Sequence, residues 1–443
     1  MKTSYTYAQI VKIAYPIFLT IFIQNLIQVI DTAFLGHVGE VELGASAIAG
    51  IFYITIFTVS FGFSMGAQIL IGRRNGEENY HKIGEIFLLG TAFLWIVALV
   101  VFCFTRYSSE LILAKLLHSP NILQASTEYL NWRIGGLFFA SVNVMFRAFF
   151  IGTIRTKVLT FNAISMALTN IFLDYVLIFG KWGFPEMGIS GAALASVISE
   201  GVSTVFFVIY LFVSIDLKKY GFIGIYWKNF RVVRNILSIS TALMIQYFLS
   251  LSTWLFFFLA IESMGETTLA VSNIIRSFYM IIGIPVFALS STSSTLVSNT
   301  IGAGKTGEVI SLIWKIVRLA LSISLVVAVV LFLFPEPVLR IYTSNPELIQ
   351  ASIPPFNVIL IVLLTMSVGN VFFQSVSGTG NTRSALMIES FVLVIYIIWV
   401  YFTAIHLKTP LFVCWISEWI YAFLFGLLSF LYFRYAKWQH KMI

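Results

Sequence analysis

Acidic and amide side chains recur at helical spacing inside two apolar segments of the sequence. Gln24, Gln28 and Asp31 follow one another at i, i+4 and i+7. Asn170 and Asp174 also lie four residues apart, so each set occupies one face of a helix. Removal from water disfavours the charged form of a carboxyl group, and a second carboxylate nearby disfavours it further. The two aspartates therefore predict a site that binds and releases a proton or a small cation. The alternative is that each aspartate caps the outer end of its helix.

Two glutamates occupy corresponding positions of a repeated Ile-Ser-Glu sequence, at Glu200 and Glu418. Both fall near the middle of long apolar segments, where an ionisable side chain is costly and faces the protein interior or a cavity. They are secondary candidates for an ion site. The structural alternative, which we favour, is that each pairs with a buried arginine such as Arg147 or Arg276. Glu389 is a less informative acid of the same kind.

The composition requires a membrane environment. Hydrophobic residues make up 59% of the chain and charged residues 10%, whereas soluble domains carry about 25% charged residues. In lipid only helices and closed barrels satisfy the backbone, and apolar runs of this length without alternation favour helices. The net charge of +8 is typical of basic cytoplasmic loops, so it does not indicate nucleic-acid binding.

Twelve apolar segments are long enough to cross the membrane, which predicts an all-α integral membrane protein. They separate into six and six around a basic connector at 214–234. The segments are 8–33, 45–71, 83–105, 127–151, 158–180, 189–213, 233–260, 268–300, 309–334, 351–377, 384–405 and 410–434.

An internal repeat relates the two halves. VGEVELGAS at 38–46 returns as MGETTLAVS at 264–272. Because each half holds an even number of spans, the two copies have the same orientation, as in transporters built from parallel repeats. We therefore predict two pseudo-symmetric six-helix lobes, at 1–213 and 235–443, joined by the cytoplasmic connector at 214–234.

The basic residues predict the orientation in the inner or plasma membrane. With the N-terminus inside, the inner connections hold most of the lysines and arginines, as the positive-inside rule requires. Both termini are then cytoplasmic. The outer loops hold only Arg106, Lys115, Lys181, Arg340 and Lys408.

Prolines inside two spans predict local irregularity. Pro16 removes a backbone hydrogen bond from the first span, so the helix that bears Asp31 is expected to be kinked there, either as a moving part or as a static bend. The eighth span is long, which predicts that it tilts or is interrupted near Pro285.

Enzymatic and metal chemistry find no support in the sequence. There is no nucleophile–base pair at membrane depth and no metalloprotease or phosphate-loop motif. Cys103 and Cys414 lie in apolar runs without metal-ligand spacing. We expect no enzyme activity, no cofactor apart from a coupling ion, and a monomer whose partners are the lipid bilayer and small organic substrates.

The order and spacing of several segments resemble the multidrug and toxic compound extrusion (MATE) family across nearly the whole chain. The segments are YPIFLTIFIQNLIQVIDTAFLGHVG (15–39), FRAFFIGTIRTK (146–157), NIFLDYVLIFG (170–180), GISGAALASVIS (188–199) and SGTGNTR (377–383). The resemblance implies two six-helix lobes, alternating access, and export of organic cations or drugs against an inward flow of H⁺ or Na⁺.

Within the family, the acids resemble those of the DinF-like branch. Asp31, Asn170 and Asp174 match its motif positions, and Pro16 matches the proline of its first span. The NorM branch adds acids on spans seven and ten, where this chain has Ser250 and no acid, so a cation site of that type is not expected.

The resemblance leaves the coupling ion and the substrate open. H⁺ is favoured, and Na⁺ held by Asp31, Asn170 and Asp174 is the alternative. The same superfamily includes flippases of lipid-linked oligosaccharides, which need basic residues in the cavity. Arg147 and Arg276 are the candidates for that role, and Arg276 is also a candidate partner of Glu200.

Overall fold

Long helices form nearly all of the secondary structure in the computed structural model, which describes residues 5–117, 119–224, 226 and 229–439. These residues contain no β-strand. Short 3₁₀ and π-helical turns cover Thr306–Glu308 and Tyr401–His406. The helices are α1 Tyr7–Val38, α2 Glu40–Gly76, α3 His81–Leu116, α4 Pro120–Arg133, α5 Gly136–Gly152, α6 Lys157–Ile178, α7 Gly188–Ser214, α8 Phe230–Glu262, α9 Glu266–Gly302, α10 Val309–Leu333, α11 Pro335–Leu339, α12 Pro346–Gly378, α13 Thr382–Val400 and α14 Leu411–Tyr435.

The helix lengths confirm the predicted all-α membrane protein. Within the described part of the chain, 11 helices are long and apolar enough to cross a membrane, and the number reaches 12 if α4 and α5 form one span. A helix satisfies its own backbone hydrogen bonds, so each of these elements can lie in lipid without exposing unpaired amides.

The fourth predicted span is broken. We expected one helix over 127–151, but α4 begins at Pro120 and meets α5 at a bend of 52°. Ile134 and Gly135 form the break. Adjacent glycines at 135 and 136 weaken a continuous helix, because glycine loses more backbone freedom than any other residue when it becomes helical.

Both prolines lie within unbroken helices. The helix α9 runs without a break from Glu266 to Gly302 and contains Pro285, so of the two alternatives predicted for this span, tilt or interruption, the interruption is wrong. The helix α1 likewise continues through Pro16 to Val38.

The chain divides into two structural units. The first unit is Leu19–Ser240. The second unit combines Met1–Phe18 with Thr241–Ile443. Because the boundary at Phe18 falls inside the helix α1, this helix supplies residues to both units.

The first unit is held together by apolar clusters between its helices. One cluster packs α1, α2, α4, α6 and α7 around Leu35, Ala45, Ala125, Ile178 and Ile189. The helices α6 and α7 approach closely at Gly191, where a Cβ atom would lie 2.7 Å from the backbone carbonyl carbon of Leu177. Small residues at helix contacts allow such packing in membranes, and here the contact fixes the helix that carries Asp174.

The second unit has its own core. One apolar cluster of this unit includes Phe257, Phe278, Phe356, Tyr396 and Trp415. Trp415 and Phe257 meet edge to face with ring centroids 5.1 Å apart, an arrangement that aromatic rings prefer. The cluster positions α8, α9, α13 and α14 around the buried acids described below.

Candidate functional site

The helices α1 and α6 bring Asp31 and Asp174 together in the first unit. Their carboxyl groups lie within hydrogen-bonding reach of each other. Asp174 is fully buried, Asn170 is 1% exposed, and Asp31 is half-buried. Asn170 precedes Asp174 by one helical turn, so both side chains project from the same face of α6. Asn170 and Asp174 lie 139 residues or more from Asp31 in the sequence. The fold brings all three side chains together as one polar site.

The polar atoms of this site lack donors and acceptors. The Oδ1 atom of Asp31, both carboxyl oxygens of Asp174, and both side-chain polar atoms of Asn170 are buried with no hydrogen-bond partner among the described residues. An ionised carboxylate only accepts hydrogen bonds, so two ionised aspartates cannot satisfy each other. A single proton turns one carboxyl into a donor for the other. An unsatisfied buried polar group costs about 1–3 kcal/mol, and a proton shared between the two carboxyl groups would lower that cost.

Asp31 lies within its helix, because α1 continues to Val38. Asp174 lies one turn before the C-terminal end of α6 at Ile178. A carboxylate is unfavourable at that end of a helix, where the dipole is negative. A capping role therefore accounts for neither position.

The structure does not join the glutamines to the pair. Gln24 and Gln28 lie on α1 ahead of Asp31, and both side chains are exposed. The described residues show no hydrogen bond from either amide to Asp31 or Asp174. Pro16 is buried further back in the same helix.

Glu200 forms an ion pair with Arg133. The Nη2 atom of Arg133 lies 2.6 Å from Oε1 of Glu200, and Nη1 lies 2.9 Å from Oε2. The guanidinium carbon also lies 3.8 Å from the centroid of the Tyr53 ring. A buried arginine partner was expected, but the choice of Arg147 or Arg276 was wrong.

The two predicted arginines make other contacts. Arg147 lies over the ring of Phe61, with its guanidinium carbon 5.8 Å from the centroid. Arg276, in the second unit, lies 5.1 Å from the centroid of Phe258. Both distances suit a cation–π contact.

The ion pair lies close to the aspartates. Tyr129 and Arg133 occupy successive turns of one face of α4. The positive charge of Arg133 acts on Asp31. The hydroxyl of Tyr129 lies within the electrostatic influence of both aspartates and of Glu200. Sequence reasoning missed both residues. The available signal for Arg133 was a basic side chain inside an apolar segment, next to the Gly135–Gly136 break.

A glycine makes room for the ion pair. At Gly136, the first residue of α5, a Cβ atom would lie 2.5 Å from both Nη1 of Arg133 and Oε2 of Glu200. Gly135 is less confined, since its nearest neighbour would be the carbonyl oxygen of Trp132 at 3.5 Å. The pair therefore occupies space that any larger residue at position 136 would fill.

The sequence model of MatE matches residues 16–176 and 240–402. The chain belongs to the MatE family. The two matches begin at similar points of the two halves, in agreement with the internal repeat.

Individual relatives agree with this assignment. The chain is 28% identical to a probable multidrug resistance protein NorM of Thermotoga maritima over 382 residues, covering 86% of this chain and 82% of that one. It superposes on the outward-facing conformation of a multidrug resistance MATE family transporter of the MOP superfamily with a TM-score of 0.88 at 18% identity, covering 97% and 95% of the two chains. A MOP superfamily transporter from Pyrococcus furiosus gives 0.87 at 17% identity, with the same coverage. The structural likenesses show the MATE fold.

In this MatE-family protein, the repeat partner of Glu200 has different surroundings. Glu418 of the second unit accepts hydrogen bonds from Nε1 of Trp254 at 3.1 Å, the hydroxyl of Tyr279 at 3.0 Å and the hydroxyl of Tyr396 at 2.8 Å. Neutral donors thus hold this carboxylate, and the predicted arginine partner is wrong for Glu418.

The described residues of the protein contain no group of three His, Cys, Asp or Glu side chains that could hold a metal ion. Cys103 is exposed and Cys414 is buried.

Proposed function

We propose that this MatE-family protein is a secondary active antiporter that exports amphipathic, often cationic organic compounds in exchange for H⁺ by alternating access. The observation that carries the proposal is the adjacent, unpartnered carboxyl pair of Asp31 and Asp174. The substrate class is supported by the relatives named as multidrug resistance proteins and transporters. The protein is a transporter and not an enzyme.

A single proton changes the interaction between α1 and α6. When both aspartates are ionised, two like charges repel at short range in surroundings of low dielectric constant. One bound proton removes that repulsion and creates a hydrogen bond between the two carboxyl groups. The force between the two helices therefore depends on the proton, and a ligand shifts a conformational equilibrium only through such a difference between states.

Sodium is the alternative coupling ion. Asp31, Asp174 and the carbonyl oxygen of Asn170 are hard oxygen ligands, and the Asn170 oxygen has no partner among the described residues. H⁺ is preferred because the two carboxyl groups already lie within hydrogen-bonding reach and need only a donor. The position of the acids on the first and fifth spans also supports the DinF-like branch.

A lipid-linked oligosaccharide flippase would need cationic side chains available to an anionic cargo. The two candidate arginines, Arg147 and Arg276, lie against the rings of Phe61 and Phe258. In the described structure Arg133 is bound to Glu200. These contacts favour the drug antiporter over the flippase.

Transport into and out of proteoliposomes under separately imposed pH and sodium gradients tests the proposal. We expect efflux of a dye such as ethidium to follow the pH gradient, and to be abolished by Asp31→Asn and by Asp174→Asn. The matched control is Asp216→Asn, because Asp216 is an exposed acid that accepts hydrogen bonds from the backbone amides of Lys218 and Lys219, which an asparagine also accepts. Transport that follows sodium alone, or that survives Asp31→Asn, would contradict proton coupling.

The proposed setting is the inner or plasma membrane, with both termini in the cytoplasm and the protein acting as a monomer. Partners are the bilayer and small organic substrates, without nucleic acid. Native mass spectrometry from detergent tests the oligomeric state, and a predominant dimer would contradict it.

A further inference from the structure

The three buried glutamates that the structure describes, Glu200, Glu389 and Glu418, differ in what their partners can do. Arg133 beside Glu200 and the indole of Trp254 beside Glu418 only donate hydrogen bonds. Donor-only partners hold the oxygens they contact as acceptors. Glu418 also accepts hydrogen bonds from the hydroxyls of Tyr279 and Tyr396, so each of its oxygens has a donor. Both carboxyl groups are therefore satisfied in the ionised form.

Glu389 lacks a donor-only partner among the described residues. Its carboxyl group contacts the hydroxyl groups of Ser250 and Tyr421, the latter at 3.3 Å, and the side-chain amide of Gln246 lies within hydrogen-bonding reach. A hydroxyl can donate or accept, and an amide offers both an NH₂ donor and a carbonyl acceptor. Each of the three partners can therefore satisfy a carboxylate and also a neutral carboxylic acid.

Two buried oxygens at this position lack donors. Glu389 is 2% exposed and Gln246 is 5% exposed. The Oε2 atom of Glu389 and the Oε1 atom of Gln246 both have no hydrogen-bond partner among the described residues. A proton on Oε2 of Glu389 would give that oxygen a hydrogen to donate, and the amide oxygen of Gln246 is a buried acceptor that lacks a donor.

Among the described residues, Glu389 has no cationic partner. The described residues place no lysine, arginine or histidine in an ion pair with it. Gln246 and Ser250 face it from α8 and Tyr421 faces it from α14, and the next titratable groups, Tyr279 and Glu418, act on Tyr421. An ionised Glu389 would thus be a buried charge without a counter-charge, which proteins avoid by neutralising the group.

We propose that the second unit contains its own proton-binding site, centred on Glu389 and completed by Gln246, Ser250 and Tyr421. It is separate from the aspartate pair of the first unit and does not depend on which compound the protein exports. Uptake of the proton converts the Glu389 carboxylate to a carboxylic acid, and the amide of Gln246 turns its oxygen toward the new O–H group.

Infrared difference spectroscopy between alkaline and acidic pH tests the site directly, on the full-length protein in lipid. A protonated carboxyl group gives a carbonyl stretching band that a carboxylate lacks. In Asp31→Asn/Asp174→Asn, which removes the first-unit acids, we expect one such band to remain. Adding Glu389→Gln should abolish it, whereas adding Glu418→Gln should leave it unchanged.

Several outcomes would overturn the proposal. They are the absence of a band in the double aspartate variant, its survival after Glu389→Gln, or its loss with Glu418→Gln instead. Weakening of the band by sodium at constant pH would show that the site takes Na⁺ in place of a proton.

Thermal unfolding and size-exclusion elution would show whether Glu389→Gln folds. If it does not, a second variant tests the same site. Ser250→Ala removes one hydroxyl partner and keeps the acid, so the band should persist at a shifted frequency. A frequency unchanged by Ser250→Ala would also overturn the assignment. Because none of these readouts involves a transported compound, they are independent of the proposed antiport activity.

Discussion

Arg133 and Glu200 connect α4 to α7 through two parallel hydrogen bonds, of 2.6 and 2.9 Å, at the point where α4 bends into α5. Two parallel bonds of this kind fix the orientation of both side chains as well as their distance. The break in the fourth span therefore coincides with a charged contact between helices, close to the aspartate pair that we propose as the coupling site.

Breaking the ion pair from one side should destabilise the protein more than removing both charges. Glu200→Gln leaves the guanidinium without a counter-charge in a buried position, which typically costs about 3–5 kcal/mol. Arg133→Met/Glu200→Met removes both charges and keeps side-chain volume, so we expect the double variant to be more stable than Glu200→Gln. Thermal unfolding in detergent, followed by size-exclusion fluorescence, compares the variants. A double variant less stable than Glu200→Gln would argue against an isolated charge as the cause.

Gly136→Ala should disrupt the same ion pair by steric displacement. The new Cβ atom would overlap Arg133 and Glu200, so the apparent unfolding temperature should fall. The adjacent Gly135→Ala is the matched control, because its methyl group meets only an ordinary contact and the backbone angles of Gly135 suit alanine.

The effect of Gly136→Ala should largely disappear in the Arg133→Met/Glu200→Met background, where no rigid ion pair occupies the space. Equal losses in both backgrounds would place the clash elsewhere.

The sequence indicated which residues carry charge into the membrane, but it did not indicate all of their partners. Helical spacing alone placed Asn170 and Asp174 on one face, and the depth of the acids suggested that Asp31 meets them. Arg133 and Glu200, by contrast, are 67 residues apart, and nothing in local spacing selects that arginine over Arg147.

The surroundings of Glu418 were hidden for a related reason. Its donors are Trp254, Tyr279 and Tyr396, and such aromatic residues are abundant throughout the chain, so composition does not single out the three that face an acid. The break before Gly136 was signalled by adjacent glycines, but a glycine pair in a membrane helix also serves close packing. Only the three-dimensional contacts show whether such a glycine pair breaks a helix or allows close helix packing.

Substitutions of the two aspartates should be non-additive in transport. If Asp31 and Asp174 share one proton, removing either carboxyl group destroys the site, and removing both causes little further loss. We expect Asp31→Asn, Asp174→Asn and the double variant to lose dye efflux to a similar extent in proteoliposomes with a pH gradient. Losses that multiply in the double variant would instead indicate two independent sites.

The proposed orientation makes a prediction about labelling from outside the cell. Lys82, in the first turn of α3, and Lys181, in the connection between α6 and α7, are both exposed. We assign them to the cytoplasmic and outer sides, respectively. In a background with Cys103 and Cys414 replaced by alanine, Lys181→Cys should react with a membrane-impermeant maleimide in intact cells.

Lys82→Cys should react with the same reagent only after the membrane is permeabilised, and this variant serves as the matched control because it also replaces an exposed lysine with cysteine. The physical reason for the asymmetry is that basic residues near span ends are retained on the cytoplasmic side during insertion, and the inner connections hold most of them. The reverse pattern would invert both termini.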